Sequence, residues 1–281
     1  MRVTSEEARQ RVKSEGWCVI EGVIPVDVVA GIRKAVIRLV DEQRVEREQW
    51  LAESHRLGQR HGADGVENAQ AIIDGIPNFA PFIAERRVIE VAEAFFGPYV
   101  RVSSTSAIVT HPNSKRGYWH ADWPFNQTFT SHIPAPYGDV VIHLSSLFML
   151  TDFSVENGGT LIVPGSQRLP NNPTADNGAD CEAPHPNEVN VTGEAGSVLL
   201  YDSRLWHSIA PNRTSQPRVA ISVRYAPWWL SLEVRRKGSP DNLRIVVETN
   251  GKDNSVPLIS KSSFDALPEV VKPLFRHWVE K

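Results

Sequence analysis

The chain has 281 residues, of which 41% are hydrophobic and 22% charged, a composition typical of a globular protein with enough material for a sizeable core. Its 30 basic and 33 acidic residues give a formal net charge of -3, which argues against nucleic acid or an anionic membrane as the main partner. Cys18 and Cys181 have neither the spacing of a metal site nor that of a disulfide framework. No stretch approaches the ~18 apolar residues of a membrane span, and the first residues lack the apolar region of a signal peptide. We therefore expect a cytoplasmic protein.

Helical patterns dominate the first third of the chain. Residues 4–14 are polar and predict a helix, and the short apolar run 17–20 follows it. Pro25 is typical of a helix start. Apolar residues then recur at helical spacing and predict a helix of about 20 residues that packs one side against the core. These residues are Val28, Val29, Ile32, Val36, Leu39 and Val40.

The next stretch is charged and interrupts this pattern. Residues 41–70 contain His55 and His61, and their composition predicts a solvated loop in which neither histidine has a role. Residues 84–96 predict a second amphipathic helix, which ends at Gly97.

From residue 100 onwards, short β-branched runs alternate with turns rich in Pro, Gly and Asn. The runs are 100–110, 142–151, 160–163, 188–191, 197–201, 205–210 and 219–225. Several short strands without intervening helices predict a sandwich or jelly roll, with the preceding helices as a buttress on one face. We therefore expect a single domain, 1–281, with a helical buttress at about 4–97 and a β core at about 100–228.

The C-terminal extension, 229–281, mixes strand-like pieces such as 243–248 with polar turns. After Pro268 an apolar stripe at helical spacing predicts a final helix. The stripe consists of Leu267, Val270, Val271, Leu274, Phe275 and Trp278. His277 lies off this stripe and is expected to face solvent.

The segment from Tyr118 to Asn126 carries a His-x-Asp pair in an aromatic run that, without Pro124, would be typical of a strand. Side chains alternate along a strand, so His120 and Asp122 would project from the same face. A neutral imidazole and a carboxylate are two members of the 2-His-1-carboxylate triad, which binds Fe(II) and leaves positions open. The pair alone is a weak signal, because a strand histidine bonded to a nearby acid is a common structural outcome.

A second histidine and an arginine follow later in the β-rich region. His207 is far enough from Asp122 to lie on a different strand, and Arg218 comes eleven residues after it. If residues 211–217 form a hairpin, the strands that carry His207 and Arg218 are neighbours. The planar fork of a guanidinium suits bidentate binding of a carboxylate, as the distal end of 2-oxoglutarate would require.

Two connections between strands receive structural interpretations. Asn157-Gly158-Gly159 is interpreted as an architectural tight turn. Residues 166–187 are rich in Pro, Asn and Asp and predict a surface loop of the kind that can cover a site. His185 is interpreted as part of that loop.

These motifs together resemble the phytanoyl-CoA dioxygenase-like (PhyH) family of Fe(II)/2-oxoglutarate-dependent oxygenases, over roughly residues 8–228. The motifs are His120-x-Asp122, Glu156-Asn157-Gly158-Gly159-Thr160, Pro164-Gly165-Ser166-Gln167-Arg168, and His207 followed by Arg218. Their combination is more specific than any one of them.

The resemblance implies a double-stranded β-helix, a jelly-roll or cupin-like core with N-terminal and C-terminal helices. It further implies that His120, Asp122 and His207 bind Fe(II), that Arg218 binds the distal carboxylate of 2-oxoglutarate, and that O2 is the second co-substrate. Thr160 and Ser208 are implied to assist 2-oxoglutarate.

The chain departs from the family pattern at two positions. Gln167 stands where the family often has a histidine that is not a metal ligand, and Ser208 directly follows His207, whereas the family commonly has a serine two residues beyond that histidine. Asp122 is a carboxylate, whereas related halogenases have a small residue there, so oxidation without halide is favoured.

Other residues near the pair receive weaker interpretations. His111, His132 and His143 are expected to be core or supporting groups, not ligands. Trp123 and Asn126, just past the metal pair, are the residues expected to face a substrate.

Three functional hypotheses remain at this point. The first is an Fe(II)/2-oxoglutarate dioxygenase that hydroxylates a C–H bond of a small-molecule or natural-product substrate. The second is a cupin-like metalloenzyme that does not use 2-oxoglutarate, and the third is a non-catalytic β-barrel that binds a ligand. Arg218 favours the first. The absence of a large basic run disfavours acyl-CoA as the substrate. No motif identifies the substrate or the oligomeric state. No motif favours hydroxylation over desaturation, epimerisation or ring formation either.

Overall fold

The computed structural model describes residues 3–59, 62–123, 138–170, 172–173 and 180–280. Helices up to residue 96 are α1 (Ser5–Glu15), α2 (Val26–Glu42), α3 (Arg44–Arg56), α4 (Ile72–Gly75), α5 (Ala80–Ile83) and α6 (Arg86–Phe96). The strands are β1 (Trp17–Ile20), β2 (Val66–Ala69), β3 (Val100–Thr110), β4 (Leu144–Met149), β5 (Leu161–Ile162), β6 (Val189–Asn190), β7 (Val198–Asp202), β8 (His207–Ser208) and β9 (Arg218–Pro227). Short helices follow at α7 (Pro240–Asn242), α8 (Lys261–Asp265) and α9 (Lys272–Phe275).

The strands form two antiparallel sheets. The larger sheet has the order β1-β7-β4-β9-β3-β2, and the smaller one has the order β6-β5-β8. Buried side chains from both sheets pack between them, among them Leu147 of β4, Ile162 of β5, Leu199 of β7 and Ala220 of β9. Two packed sheets with these non-sequential neighbours are the expected jelly roll, so the predicted fold class is confirmed.

The helices cover the outer face of the larger sheet, as the hydrophobic pattern predicts. Ile32 and Val36 of α2, with Val88 and Val91 of α6, are fully buried in a cluster that includes Ile221 of β9. Burying each such side chain contributes about 1.5–3 kcal/mol. The buttress therefore holds the sheet that carries much of the site described below.

Helix α3 corrects the expectation of a loop at 41–70. Arg44–Arg56 is helical although its surface is polar nearly all round, which is why the apolar spacing does not reveal it. Ion pairs three residues apart, Arg44 with Asp41 and Arg56 with Glu53, accompany it.

The C-terminal extension also differs from expectation. Leu243–Val247 forms a π-helical turn instead of a strand. The last segment is a series of short helices, and Val270 is 69% exposed and so is not part of the buried stripe. His277 does not face solvent, because its Nε2 lies 3.0 Å from the carbonyl oxygen of Val102.

The Asn157-Gly158-Gly159 turn is architectural, as expected. The side chain of Asn157 accepts from the Ser154 amide and donates to the Asp152 carbonyl. A Cβ on Gly158 would lie 2.6 Å from the Ala210 oxygen, and one on Gly159 would lie 2.4 Å from the Val191 oxygen. Only glycine allows these backbones to approach so closely.

None of the helices in the described ranges is both long and apolar enough to cross a lipid bilayer.

Candidate metal centre

Two histidines from distant parts of the chain are joined by an isolated antiparallel bridge. The amide of His120 donates to the carbonyl of His207 at 3.1 Å, and the reverse bond is 2.9 Å long. Their ring centroids are 4.2 Å apart. Residues 118–123 are otherwise irregular, which corrects the expectation of a strand there. One bridge suffices to place the two imidazoles side by side.

Backbone carbonyls fix the tautomer of both histidines. The Nδ1 of His207 lies 2.9 Å from the Leu205 oxygen, and the Nδ1 of His120 lies 3.2 Å from the Tyr118 oxygen. Nδ1 must donate in each case, so the lone pair is on Nε2. A metal-binding histidine commonly donates its other nitrogen in this way.

The carboxylate of Asp122 is held by three side chains. Arg224 donates to Oδ1 at 2.7 Å, while Ser145 and Tyr201 donate to Oδ2 at 2.7 and 3.0 Å. The amide of Asp122 donates to the carbonyl of Ser203, which anchors the irregular segment. A carboxylate offers about four acceptor positions, so one remains for a metal ion.

One potential ligand atom from each of His120, Asp122 and His207 lies within 4.8 Å of the other two. Within the part of the chain that the structure describes, these residues form the one such cluster. Two imidazole nitrogens and one carboxylate oxygen are the donors of a facial iron site, so the residues present fit Fe(II).

The electrostatic environment keeps Asp122 ionised and both imidazoles neutral, which are the states in which these residues can bind a cation. Burial disfavours the charge on Asp122, but the Arg224 guanidinium and the other groups around the carboxylate together outweigh it and hold the pKa of this carboxyl well below its usual range. Burial, and then the neighbouring His207, lowers the pKa of His120 to about 3, and burial also lowers the pKa of His207. Both imidazoles are therefore neutral at pH 7.

These buried histidines should make the stability of the metal-free protein depend on pH. Burial lowers the pKa of His277 to about 4 and that of His143 well below its usual value, in addition to His120 and His207. The unfolded chain takes up protons near pH 6.5 while the folded one does not, so stability is retained above about pH 7 and falls as the pH drops.

We expect the urea midpoint to fall between about pH 7 and about pH 5, with a slope of up to about 1.4 kcal/mol per pH unit for each histidine. The variant His277→Gln should show a shallower slope. A constant midpoint over this range would contradict the buried, neutral state of these rings.

Arg218 lies on the larger sheet, whereas His207 lies on the smaller one. The connection is therefore not a hairpin, so the condition for neighbouring strands is not met, and residues 209–217 cross from one sheet to the other. Asn212 secures this crossing by donating to the carbonyls of Thr110 and Gln216. The arginine is thus carried by the opposite sheet from His207.

The guanidinium of Arg218 is buried without an acidic partner among the described residues. It is 2% exposed, donates to Thr110 Oγ1 at 2.7 Å and stacks 4.5 Å from the centroid of the Phe153 ring. Its Nε has no hydrogen-bond partner. Burial lowers its pKa to about 10, which leaves it charged at pH 7. A buried cation of this kind is suited to bind an anionic group of a ligand.

A single cavity of about 2180 Å³ contains the candidate ligands and the arginine on its walls. Thr160 and Ser208 also line it, but the hydroxyl of Ser208 donates to the Gly117 carbonyl at 2.6 Å. That proton is therefore not available to a carboxylate of the co-substrate. Trp123 is 4% exposed and does not line the cavity, and Asn126 lies outside the described residues.

The outer part of the cavity is formed by helix α3 and by residues 234–258 of the C-terminal extension. Trp50 of α3 and Lys252 of the extension face each other there, with the ammonium 5.5 Å from the ring centroid. The extension is therefore part of the cavity wall.

Sequence reasoning missed three residues of the site: Arg224, Ser145 and Tyr201. Arg224 lies six residues after Arg218 on the same strand, so the two side chains project from the same face. An arginine within a largely apolar strand was the signal that could have identified it. Ser145, within the apolar strand β4, carried a similar but weaker signal.

The other histidines in the described part of the chain do not join the cluster. His143 is a buried supporting group, as expected, and His111 pairs with Glu67 at the cavity wall. His185 packs between Trp119 and Trp206, with each ring centroid 6.3 Å away. His132 and His61 lie outside the described residues, as does part of the expected loop at 166–187.

Comparison with known families gives a match over most of the chain. The model of the family described as phytanoyl-CoA dioxygenase (PhyH) matches residues 12–220. The match includes the two histidines, the aspartate and Arg218, and it ends before Arg224 and the C-terminal extension.

A named relative and two solved structures are similar over most of their length. Dioxygenase af480 of Aspergillus fumigatus is 25% identical over 239 residues, which cover 80% of this chain and 67% of the relative. HygX of Streptomyces hygroscopicus, solved with nickel, 2-oxoglutarate and hygromycin B, has a TM-score of 0.60 at 19% identity and covers 80% of this chain and 88% of its own.

The second structure is the epimerase SnoN in complex with Fe3+, alpha ketoglutarate and nogalamycin RO. It has a TM-score of 0.54 at 21% identity and covers 79% of this chain and 83% of its own. Both structural likenesses support the jelly-roll fold.

Proposed function

This chain belongs to the phytanoyl-CoA dioxygenase family of iron- and 2-oxoglutarate-dependent enzymes, and from that premise we propose that it hydroxylates a C–H bond of a small molecule. The observation that carries the proposal is the pairing, in one cavity, of the His120-Asp122-His207 cluster with the buried guanidinium of Arg218. The cluster fits the metal, and the guanidinium fits the distal carboxylate of the keto acid.

In the proposed site, each residue has a separate task. The Nε2 atoms of His120 and His207 and one carboxylate oxygen of Asp122 would hold iron from one side and leave the other side open. Arg218 would orient the co-substrate, with Thr110 and Phe153 fixing the guanidinium in place. The low solvent exposure of these groups reduces screening and strengthens their electrostatic interactions.

When bound, iron and 2-oxoglutarate supply the oxidation itself, in which O2 gives one oxygen atom to succinate and one to the substrate while CO2 is released. The protein contributes the position of the reactants and the electrostatic environment around them.

The carboxylate at Asp122 supports hydroxylation over halogenation, because it fills the position that a halide would need. The substrate class is a small molecule such as a natural product, supported by the large cavity and by the C-terminal extension on its wall. The matched family region ends before the C-terminal extension, so the residues of the extension are where we expect selectivity to reside.

Anaerobic addition of Fe(II) and 2-oxoglutarate to the purified protein tests the proposal. We expect the weak visible charge-transfer absorption that iron gives with a chelating keto acid, and none when succinate replaces 2-oxoglutarate. Metal binding without the absorption would instead indicate a metalloenzyme that does not use 2-oxoglutarate. Failure to bind metal would indicate a non-catalytic ligand-binding barrel.

A further inference from the structure

A continuous chain of hydrogen-bonded side chains leads from the core of the larger sheet to the carboxylate of Asp122. The Oγ of Ser103 lies 2.7 Å from His143 Nε2, and His143 Nδ1 lies 2.6 Å from the Oγ of Ser203. Ser203 lies 2.7 Å from Ser145, which in turn donates to Asp122 Oδ2 at 2.7 Å. The four residues before Asp122 are at most 1% exposed, so water does not compete for these bonds.

A β-bulge places the first member of this chain. The register between β3 and β9 shifts between Val102 and Ser104, which leaves Ser103 as the extra residue. Bulges redirect side chains and often occur next to active sites. Here the bulge accompanies a hydroxyl that reaches His143, a residue placed directly before β4.

The atom that donates each hydrogen bond in this series of side chains follows from the two ends of the series. Ionised Asp122 only accepts, so Ser145 donates to it and accepts from Ser203. Ser203 has then used its single proton and must accept from His143. The imidazole is neutral, because burial lowers its pKa well below the usual value. It therefore carries its one proton on Nδ1, and Nε2 accepts from Ser103.

We propose that His143, held in the Nδ1–H tautomer, is a positioning residue that aligns Asp122 for metal binding. Its hydrogen-bond chain fixes Oδ2 through Ser145. The segment that carries Asp122 is irregular, and its amides at Asp122 and Trp123 both donate to the Ser203 carbonyl. The amide of Ser203 donates in turn to the carbonyl of His143 at 3.1 Å. The proposal rests on the proposed function to the extent that Asp122 is a metal ligand.

The tautomer can be measured in the metal-free protein. Long-range proton–nitrogen correlation spectra of protein labelled with nitrogen-15 at histidine should show several neutral, Nδ1-protonated imidazoles, among them those of His120 and His207, and one of these signals should be missing from His143→Leu. A signal from His143 in the Nε2–H form, or as an imidazolium at pH 7, would overturn the proposal. Because no metal is present, this outcome does not depend on the proposed function.

The positioning role is tested by titration with Co(II), followed by its visible absorption. Ser145→Ala, which removes a direct partner of Asp122, should weaken Co(II) binding about 10–100-fold, the usual effect of losing a partner of a metal ligand. Ser103→Ala, which removes the hydroxyl that His143 Nε2 accepts from, should weaken it by a smaller factor. These small changes also serve if His143→Leu does not fold. The matched control is Ser146→Ala on the same strand, whose buried hydroxyl donates to the Val223 carbonyl and faces away from the cavity.

Unchanged Co(II) affinity in Ser103→Ala would overturn the positioning role of His143 alone, whatever the effect of Ser145→Ala. Failure of the wild-type protein to take up Co(II) would overturn the proposed function, and the metal-positioning role with it.

Discussion

Replacement of Asp122 by alanine should abolish substrate-dependent succinate formation and weaken Fe(II) binding by at least about 100-fold, above the usual effect of losing a supporting partner. The variant lacks the one anionic ligand of the cluster and also leaves the charge of Arg224 without its acid. The unfolding free energy should fall as well, but by less than the about 3–5 kcal/mol of a fully buried pair, because the Arg224 side chain is 24% exposed.

Two further variants separate the loss of a ligand from the loss of an ion pair. Asp122→Ala combined with Arg224→Leu should regain stability without regaining metal binding. Glu188→Ala breaks the comparable pair with Arg116, outside the cavity, and should leave Fe(II) affinity unchanged. Full Fe(II) affinity in Asp122→Ala, measured by anaerobic titration, would show that this carboxylate is not a ligand.

The three residues of the candidate metal cluster could be predicted from residue types and spacing, but their surroundings could not. His120 and Asp122 are two positions apart, and His207 follows in the same β-rich region, so their chemistry is visible in the sequence. The role of Arg224 becomes visible only in the folded protein, where the larger sheet places it 2.7 Å from Asp122, a residue 102 positions earlier. No local period encodes such a contact.

Two errors of the sequence interpretation have physical causes. The polar surface of α3 hides it, because the periodic signal detects only helices with an apolar face. The supposed hairpin between His207 and Arg218 fails because a connection of this length can either turn back or cross to the second sheet. The structure shows the crossing, which depends on Asn212 and on the close backbone contacts of Gly158.

Substitution of Arg218 by leucine should weaken 2-oxoglutarate binding strongly while leaving the fold stable. Losing one partner of a buried, hydrogen-bonded charge pair costs about 2–5 kcal/mol of binding free energy, a factor of roughly 30 to several thousand in Kd. Among the described residues Arg218 has no acidic partner, so its removal leaves no buried charge behind. Stability should therefore change little or rise.

Arg204→Leu is the matched control with the opposite pattern. Arg204 is equally buried, at 5% exposure, but it pairs with Asp202 and does not line the cavity. Its loss leaves the Asp202 carboxylate buried and unpaired, so we expect a stability loss of about 3–5 kcal/mol with 2-oxoglutarate affinity retained. Anaerobic titration of the charge-transfer absorption gives the affinity, and urea unfolding gives the stability. If Arg218→Leu instead lost stability and kept its 2-oxoglutarate affinity, it would behave like Arg204→Leu in both measurements. The guanidinium of Arg218 would then be a structural group that does not bind the co-substrate.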